Sequence, residues 1–223
     1  MRRVCLAVGC MIAVVILTFS GCATGGRAKA AGEQAKTPAE QATSEQAKAT
    51  PGQATAAPEQ VKAPKLVLRV NCAALEPYTD QAGNVWLADQ QADPNKTWGA
   101  VGGMTVDRGE LSIAGTDAPK VYQTERYSME AYKFSVPNGK YTVRLHFAET
   151  YDGITAEGQR IFSVGINDQA VLKDFDPYKE AGGFQKPVVK TIEDVAVTGG
   201  EIVIKFTTNV QNPEINGIEI LSK

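Results

Sequence analysis

The chain has 223 residues, of which 43% are hydrophobic and 22% are charged, and its formal net charge is −2. This composition allows a packed globular core, and the length suits one or two domains. The weakly acidic balance includes no basic stripe, which excludes the charge pattern expected of a nucleic-acid-binding protein.

Residues 1–21 have the composition of an export signal. Two arginines follow Met1, and an uncharged apolar run then extends from Val4 to about Phe19. This order is typical of a signal peptide, and the run is shorter than the roughly 20 apolar residues of a membrane-spanning helix. The alternative is an uncleaved anchor helix, which would also place the rest of the chain beyond a membrane.

The end of the apolar run, Ser20-Gly21-Cys22, resembles the bacterial lipobox. The resemblance implies cleavage after residue 21 and attachment of lipid such as palmitate to Cys22. We therefore expect a membrane-anchored lipoprotein of the bacterial cell envelope. Ala23, in place of an aspartate, favours the outer membrane, with the protein facing the periplasm or the cell surface.

Residues 22–64 are predicted to form a disordered tether. They are rich in Ala, Gln, Glu, Lys and Pro, with near-repeats such as Glu33-Gln34-Ala35 and Glu40-Gln41-Ala42. Such a segment buries too little apolar surface to offset the entropy lost on ordering, and its prolines interrupt helices before they reach a stable length. A spacer of this kind would lift the folded part away from the membrane.

Residues 65–223 are predicted to form one all-β domain, an antiparallel β-sandwich. Apolar and polar residues alternate along short segments, as in half-buried strands. The alternating apolar positions are Tyr132, Phe134 and Val136; Tyr141, Val143, Leu145 and Phe147; Phe162, Val164 and Ile166; and Ile202, Ile204 and Phe206. The turn signals Asn138-Gly139 and Gly199-Gly200 lie between such segments and indicate hairpins.

The reactive side chains of this domain form no catalytic motif. Cys72 is its single cysteine, so no disulfide is expected, and its apolar neighbours predict a buried thiol. The chain's one histidine, His146, is expected to be a solvated or hydrogen-bonded structural residue, with a general base as the alternative. Asp174, Asp176 and Glu180 lack the spacing of an EF-hand loop, so neither a metal nor a cofactor is expected.

Three aromatic residues near the ends of predicted strands indicate a binding function. Trp98, Tyr127 and Tyr151 lie where these strands are predicted to run into loops. Their flat rings can cover the C–H face of a sugar ring, while nearby amides and carboxylates bind its hydroxyl groups. Packing at a sheet edge is the alternative explanation for such residues.

A series of motifs in register resembles the malectin domain family. The motifs are Asn71-Cys72, Tyr78-Thr79-Asp80, NVWLAD at residues 84–89, YQTERY at 122–127, GKYTVRLHFAE at 139–149, GQRIF at 158–162, VLKDFD at 171–176 and NPEINGIEI at 212–220. The resemblance covers nearly all of residues 66–221. It implies a jelly-roll β-sandwich that binds carbohydrate, such as glucose-containing oligosaccharides, and is not an enzyme.

The resemblance also implies a set of sugar-binding residues. Trp98, Tyr127 and Tyr151 match the positions of aromatic residues that hold the sugar in the family. Asp152 and Gln211 stand where the family carries an aromatic and an acidic residue, so we expect them to supply hydrogen bonds. These two departures imply a specificity different from that of malectin itself.

Two other functions compete with carbohydrate binding. The first is a protein-interaction or assembly module of the cell envelope on the same scaffold, because a fold does not fix a function. The second is a hydrolase that would use Glu149 or Asp152. An interaction module would bind no glycan, and a pull-down with it would recover a defined envelope protein. A hydrolase would turn over a glycan.

Overall fold

The computed structural model describes residues 65–223, which are the predicted β-domain. The predicted signal peptide, Cys22 and the predicted tether lie outside the described residues. Within the described part, no helix is both long enough and apolar enough to cross a membrane.

Strands are the main regular structure of the domain and helices are short, which confirms the all-β prediction. The strands are β1 (Lys65–Asn71), β2 (Tyr78–Thr79), β3 (Val85–Trp86), β4 (Trp98–Asp107), β5 (Thr124–Ser135), β6 (Gly139–Phe147), β7 (Ile161–Ile166), β8 (Gln169–Phe175), β9 (Val188–Val197), β10 (Glu201–Val210), β11 (Glu214–Ile215) and β12 (Gly217–Ser222). The two short helices are a 3-10 turn at Pro119–Tyr122 and the α-helix α1 at Pro177–Ala181.

Ten of the twelve strands form two antiparallel sheets that pack face to face, and β2 and β3 form a separate two-stranded sheet. One sheet has the order β1-β12-β6-β9, and the other has the order β11-β5-β10-β7-β8, with β4 also paired to β5. Between them, Phe147 of β6 contacts Phe162 of β7 and Phe175 of β8, with ring centroids 5.9 and 4.8 Å apart. This aromatic contact joins the two sheets into a β-sandwich.

The predicted alternation correctly identifies the core-facing side of each strand. In β6, Leu145 and Phe147 are fully buried, as are Ile202 and Ile204 in β10. The outer face of β6 is also covered, so His146 is buried as well. A second, smaller cluster lies over it, formed by Trp86, Ile113, Ala118, Val121, Tyr122 and Ala148.

His146 is a structural residue beneath this second cluster. Its Nδ1 lies 2.8 Å from the Tyr122 hydroxyl, and its Nε2 lies 3.0 Å from a Glu219 carboxylate oxygen. The edge of the Trp86 ring system packs against it, with ring centroids 5.1 Å apart. Both ring nitrogens are therefore engaged, which confirms the hydrogen-bonded interpretation. Cys72 is likewise buried as predicted, and burial raises the pKa of its thiol.

The three carboxylates Asp174, Asp176 and Glu180 serve separate structural purposes. Asp176 caps α1 by accepting a hydrogen bond of 3.1 Å from the Lys179 backbone nitrogen. Glu180 forms an ion pair with Lys190, and Asp174 accepts a hydrogen bond from an asparagine of β10. Among residues 65–223, no group of three or more His, Cys, Asp or Glu residues is placed to hold a metal ion.

Candidate functional site

An open cavity of about 280 Å³ lies where β4, β5, the loop after β6 and the bend between β10 and β11 meet. We call it the tyrosine cavity. Its lining residues are Val106, Arg108, Glu125, Tyr127, Tyr151, Arg160, Gln211 and Asn212. Its volume is near the lower end of the roughly 300–1,000 Å³ typical of small-molecule sites, which suits a compact polar ligand.

Three of the five residues predicted for the site line this cavity. Tyr127, Tyr151 and Gln211 are far apart in sequence, and the fold brings them together. Tyr127 lies inside β5 rather than at the end of a strand, opposite Met104 of β4 and Glu214 of β11. Its hydroxyl group is 3.6 Å from the Met104 sulfur.

The structure places Trp98 outside the tyrosine cavity, so its role in sugar binding stays a prediction. Trp98 begins β4 opposite Phe134, and the two rings stack with centroids 6.2 Å apart. Met104, six residues later in β4, is the residue opposite Tyr127. Six residues of extended strand span about 20 Å, so Trp98 and Tyr127 cannot contact the same sugar ring.

Asp152 also lies outside the lining of the tyrosine cavity. It is exposed in the turn that follows Tyr151, and the backbone nitrogen of Ile154 closes this turn by donating to the Tyr151 carbonyl at 2.9 Å. Sequence adjacency to Tyr151 therefore does not bring the Asp152 carboxylate into the cavity.

Two contacts fix the Tyr151 ring, which is 40% exposed. The Arg108 guanidinium carbon lies 5.5 Å from the ring centroid, a cation–π distance. Gly153 packs so closely against the ring that any side chain at position 153 would overlap it. The glycine therefore leaves room for the ring at the cavity, and Arg108 packs against the ring.

Arg108 and Glu125 form an ion pair in the cavity wall. An Arg108 Nη2 donates to a Glu125 carboxylate oxygen at 2.8 Å, and the Thr150 hydroxyl donates to the other oxygen at 2.7 Å. Glu125 is almost fully buried, whereas the Arg108 side chain is 22% exposed. Arg108 therefore retains donors for a ligand, while Glu125 holds it in place.

Arg160 and Glu149 form a second ion pair in the cavity floor. The Arg160 Nε donates to Glu149 at 2.6 Å, and the Glu149 carboxylate also accepts from the Tyr151 backbone nitrogen at 3.0 Å. Arg160 further donates to the Asn212 carbonyl at 2.5 Å. This pair therefore connects the loop that carries Tyr151 to the bend that carries Gln211, where Gln211 has a left-handed backbone with φ +61°.

Glu214 lies near the Arg160–Glu149 ion pair. It is fully buried, and among the described residues neither carboxylate oxygen has a hydrogen-bond partner. Burial raises the pKa of Glu214 well above its usual value, and the nearby Glu125 and Glu149 charges raise it further. Around Glu214, the charges of Arg108 and Arg160 balance those of Glu125 and Glu149.

The cavity offers surfaces for stacking and hydrogen bonding. Glu149, one of the two residues considered for a hydrolase, and Glu125 are both buried in ion pairs with arginine. Sequence reasoning missed Arg108 and Arg160 as lining residues. Arg160 lies in the GQRIF motif, whereas nothing in the local sequence marks Arg108.

Comparisons with known proteins connect the described domain to one family. The family model described as the malectin domain matches residues 66–218. A probable leucine-rich-repeat receptor-like serine/threonine-protein kinase from Arabidopsis thaliana is 37% identical over 103 residues, which are 43% of this chain and 10% of the kinase. Malectin from Mus musculus is 29% identical over 117 residues, 46% of this chain and 40% of malectin.

The fold is also found in a solved enzyme structure. The crystal structure of Bacteroides uniformis β-glucuronidase matches with a TM-score of 0.64 and 25% identity, over 70% of this chain and 18% of that chain. The present chain thus spans less than half the length of each of these relatives, from 10% of the kinase to 40% of malectin.

Proposed function

Since the chain belongs to the malectin domain family, we propose that its domain is the carbohydrate-binding module of a membrane-anchored bacterial lipoprotein. The coarser function, a carbohydrate-binding or interaction module, follows from the family match and from the similarity to malectin. The choice of carbohydrate rests on the chemistry of the tyrosine cavity.

The observation that carries the proposal is the meeting of Tyr127 and Tyr151 in one open cavity. A sugar ring has an apolar face of C–H groups that an aromatic ring can cover. Its rim of hydroxyl groups needs donors and acceptors, which Arg108, Gln211 and Asn212 offer. The cavity therefore matches both parts of a sugar surface.

The proposed module is not catalytic. A glycoside hydrolase needs one carboxyl group that can give up a proton and a second that can act as base or nucleophile. Glu125 and Glu149 are each held by an arginine, and Glu214 is fully buried and does not line the cavity. We expect no turnover of a bound glycan.

Replacing either tyrosine should remove binding without unfolding the domain. Tyr127→Ala and Tyr151→Ala should each lower oligosaccharide affinity about tenfold or more, because each loses roughly 1.5–3 kcal/mol of apolar contact. We would titrate the full-length protein calorimetrically with gluco-, galacto- and peptidoglycan-derived oligosaccharides, with expected dissociation constants from about micromolar to millimolar.

The matched control for both variants is Tyr178→Ala, which removes a half-buried tyrosine that does not line the cavity. It should leave the affinity unchanged. Equal affinity in the wild type and both cavity variants would contradict the site. Absence of heat with every glycan would favour the protein-interaction module instead.

The lipoprotein part of the proposal rests on the sequence around Cys22. Labelled palmitate fed to the producing bacterium should be incorporated into the protein and lost in Cys22→Ser, because no other cysteine follows a lipobox-like motif. Cys10→Ser, the same substitution within the apolar run, should retain the label. Equal labelling of the wild type and Cys22→Ser would contradict the anchor.

A further inference from the structure

A second and larger space, of about 500 Å³, borders the same end of β4 as the tyrosine cavity. We call it the Leu75 groove. Its lining includes Leu75, Tyr78, Val106, Lys120 and Thr124. None of these residues except Val106 is part of the tyrosine cavity.

The two spaces meet at Val106, which lines both of them. At the end of β4, Thr105 and Asp107 line the groove, whereas Arg108, the residue that follows β4, lines the cavity. Within residues 65–223, this part of β4 pairs only with β5, so its other edge is open for a chain to cross.

The groove offers apolar surface of the kind that contacts sugar rings. Leu75 is 90% exposed, the highest value among the large apolar side chains of the described residues. Tyr78 is half-buried, with the Lys120 ammonium 5.5 Å from its ring centroid. A ligand crossing Val106 would cover the Leu75 side chain and contact Tyr78, and Lys120 would offer a donor to hydroxyl groups.

The charge of the groove restricts the class of ligand. Glu76, Asp107 and Glu110 line it together with a single cation, Lys120. An acidic polysaccharide would be repelled by this excess of carboxylates, whereas an uncharged one would not. The groove therefore favours a neutral glycan.

The wall of the groove is rigidly held. Ala73 has a left-handed backbone with φ +72°, which a residue other than glycine rarely adopts. Its nitrogen donates to the Asp89 carboxylate at 2.6 Å, and Asp89 also accepts from the Arg126 Nε at 2.8 Å. A buried ion pair thus fixes the turn that presents Leu75, so the groove exists before the ligand binds.

We infer that one neutral glycan chain of several sugar residues occupies the tyrosine cavity and the Leu75 groove together, crossing the open edge of β4 at Val106. This inference rests on the proposed function, and it adds the second subsite and the class of ligand. The tyrosine cavity holds one end of the chain, and Leu75 and Tyr78 hold the part beyond Val106.

The test is the dependence of affinity on chain length. The full-length protein would be titrated with neutral gluco-oligosaccharides from the disaccharide to the hexasaccharide, in both α- and β-linked series. In whichever linkage series the protein binds, affinity should rise about tenfold or more with chain length before it levels off. The longer chains bury additional apolar surface. The double variant Leu75→Ala/Tyr78→Ala should lose this gain and keep the disaccharide affinity.

The matched control is Leu66→Ala, which removes an exposed leucine outside both spaces and should retain the gain with length. An affinity that does not depend on length, or a gain that persists in the double variant, would overturn the second subsite and leave the proposed function intact. Absence of binding to every oligosaccharide, including galacto- and peptidoglycan-derived ones, would overturn both.

Discussion

Replacing Arg160 with leucine is expected to lower the free energy of unfolding by about 3–5 kcal/mol, because it leaves a buried carboxylate without its counter-ion. Arg160 and Glu149 are 4% and 0% exposed and are joined at 2.6 Å. The Glu149 side chain is fully buried, so water cannot replace the lost partner, and burial also raises its pKa despite the arginine. Urea unfolding followed by circular dichroism would measure the change.

The same substitution should also weaken sugar binding, because Arg160 holds the bend at Asn212. The double variant Arg160→Leu/Glu149→Leu should recover a substantial part of the stability, since it removes both charges together. Lys205→Leu, which breaks an exposed pair with Asp168, is the control and should leave stability nearly unchanged. A loss below about 1 kcal/mol in Arg160→Leu would contradict the importance of the buried pair.

Replacing Glu214 with glutamine is expected to stabilise the protein at neutral pH. The pKa of Glu214 is raised well above 4.5 in the folded state, whereas the unfolded chain ionises near that value. As pH rises above about 4.5, the unfolded chain loses this proton and the folded chain keeps it, so wild-type stability falls until the folded pKa is reached. Each unit of pKa difference corresponds to about 1.4 kcal/mol.

Glutamine resembles the protonated acid in shape and carries no charge, so the variant escapes this loss. Its advantage over the wild type should be absent near pH 4 and should grow towards neutral pH. Urea unfolding at a series of pH values would measure it, with Glu130→Gln, an exposed residue of β5, as the control. Glu125, Glu149, Arg108 and Arg160 face Glu214 and are common to both proteins. A variant less stable than the wild type at pH 7 would contradict a neutral Glu214.

Much of the fold could be predicted because the side-chain period of a half-buried strand is visible in the sequence. The apolar positions of β6, β7 and β10 were assigned to the core correctly. The covering of the outer face of β6 was not predicted. His146 occupies a polar position in the alternation, and it is buried because the segments around Trp86 and Tyr122 fold back over it. Such a contact between distant segments leaves no periodic signal.

The candidate site was also predicted only in part from the sequence. Tyr127 and Tyr151 were identified as aromatic residues with family counterparts, and the structure brings them into one cavity with Gln211. Trp98 was expected beside them, but strand β4 carries it to the far end of the sheet. Asp152 was expected there as a neighbour of Tyr151, but the turn leaves it in solvent. Residue type and motif position indicated which side chains suit a sugar. Strand length and turn geometry decided which of them line the same cavity.

The β-class of the domain, the burial of Cys72, the family resemblance and the prediction of a lipid on Cys22 follow from the sequence, because each depends on residues that are close together in the chain. The pairing of Arg108 and Arg160 with Glu125 and Glu149 is visible only in three dimensions. It also placed the Leu75 groove beside the tyrosine cavity. Ion pairs and cavities form between residues that the sheets bring together from distant parts of the chain. The energy of an ion pair also depends on its burial, which cannot be predicted from neighbouring residues in the sequence.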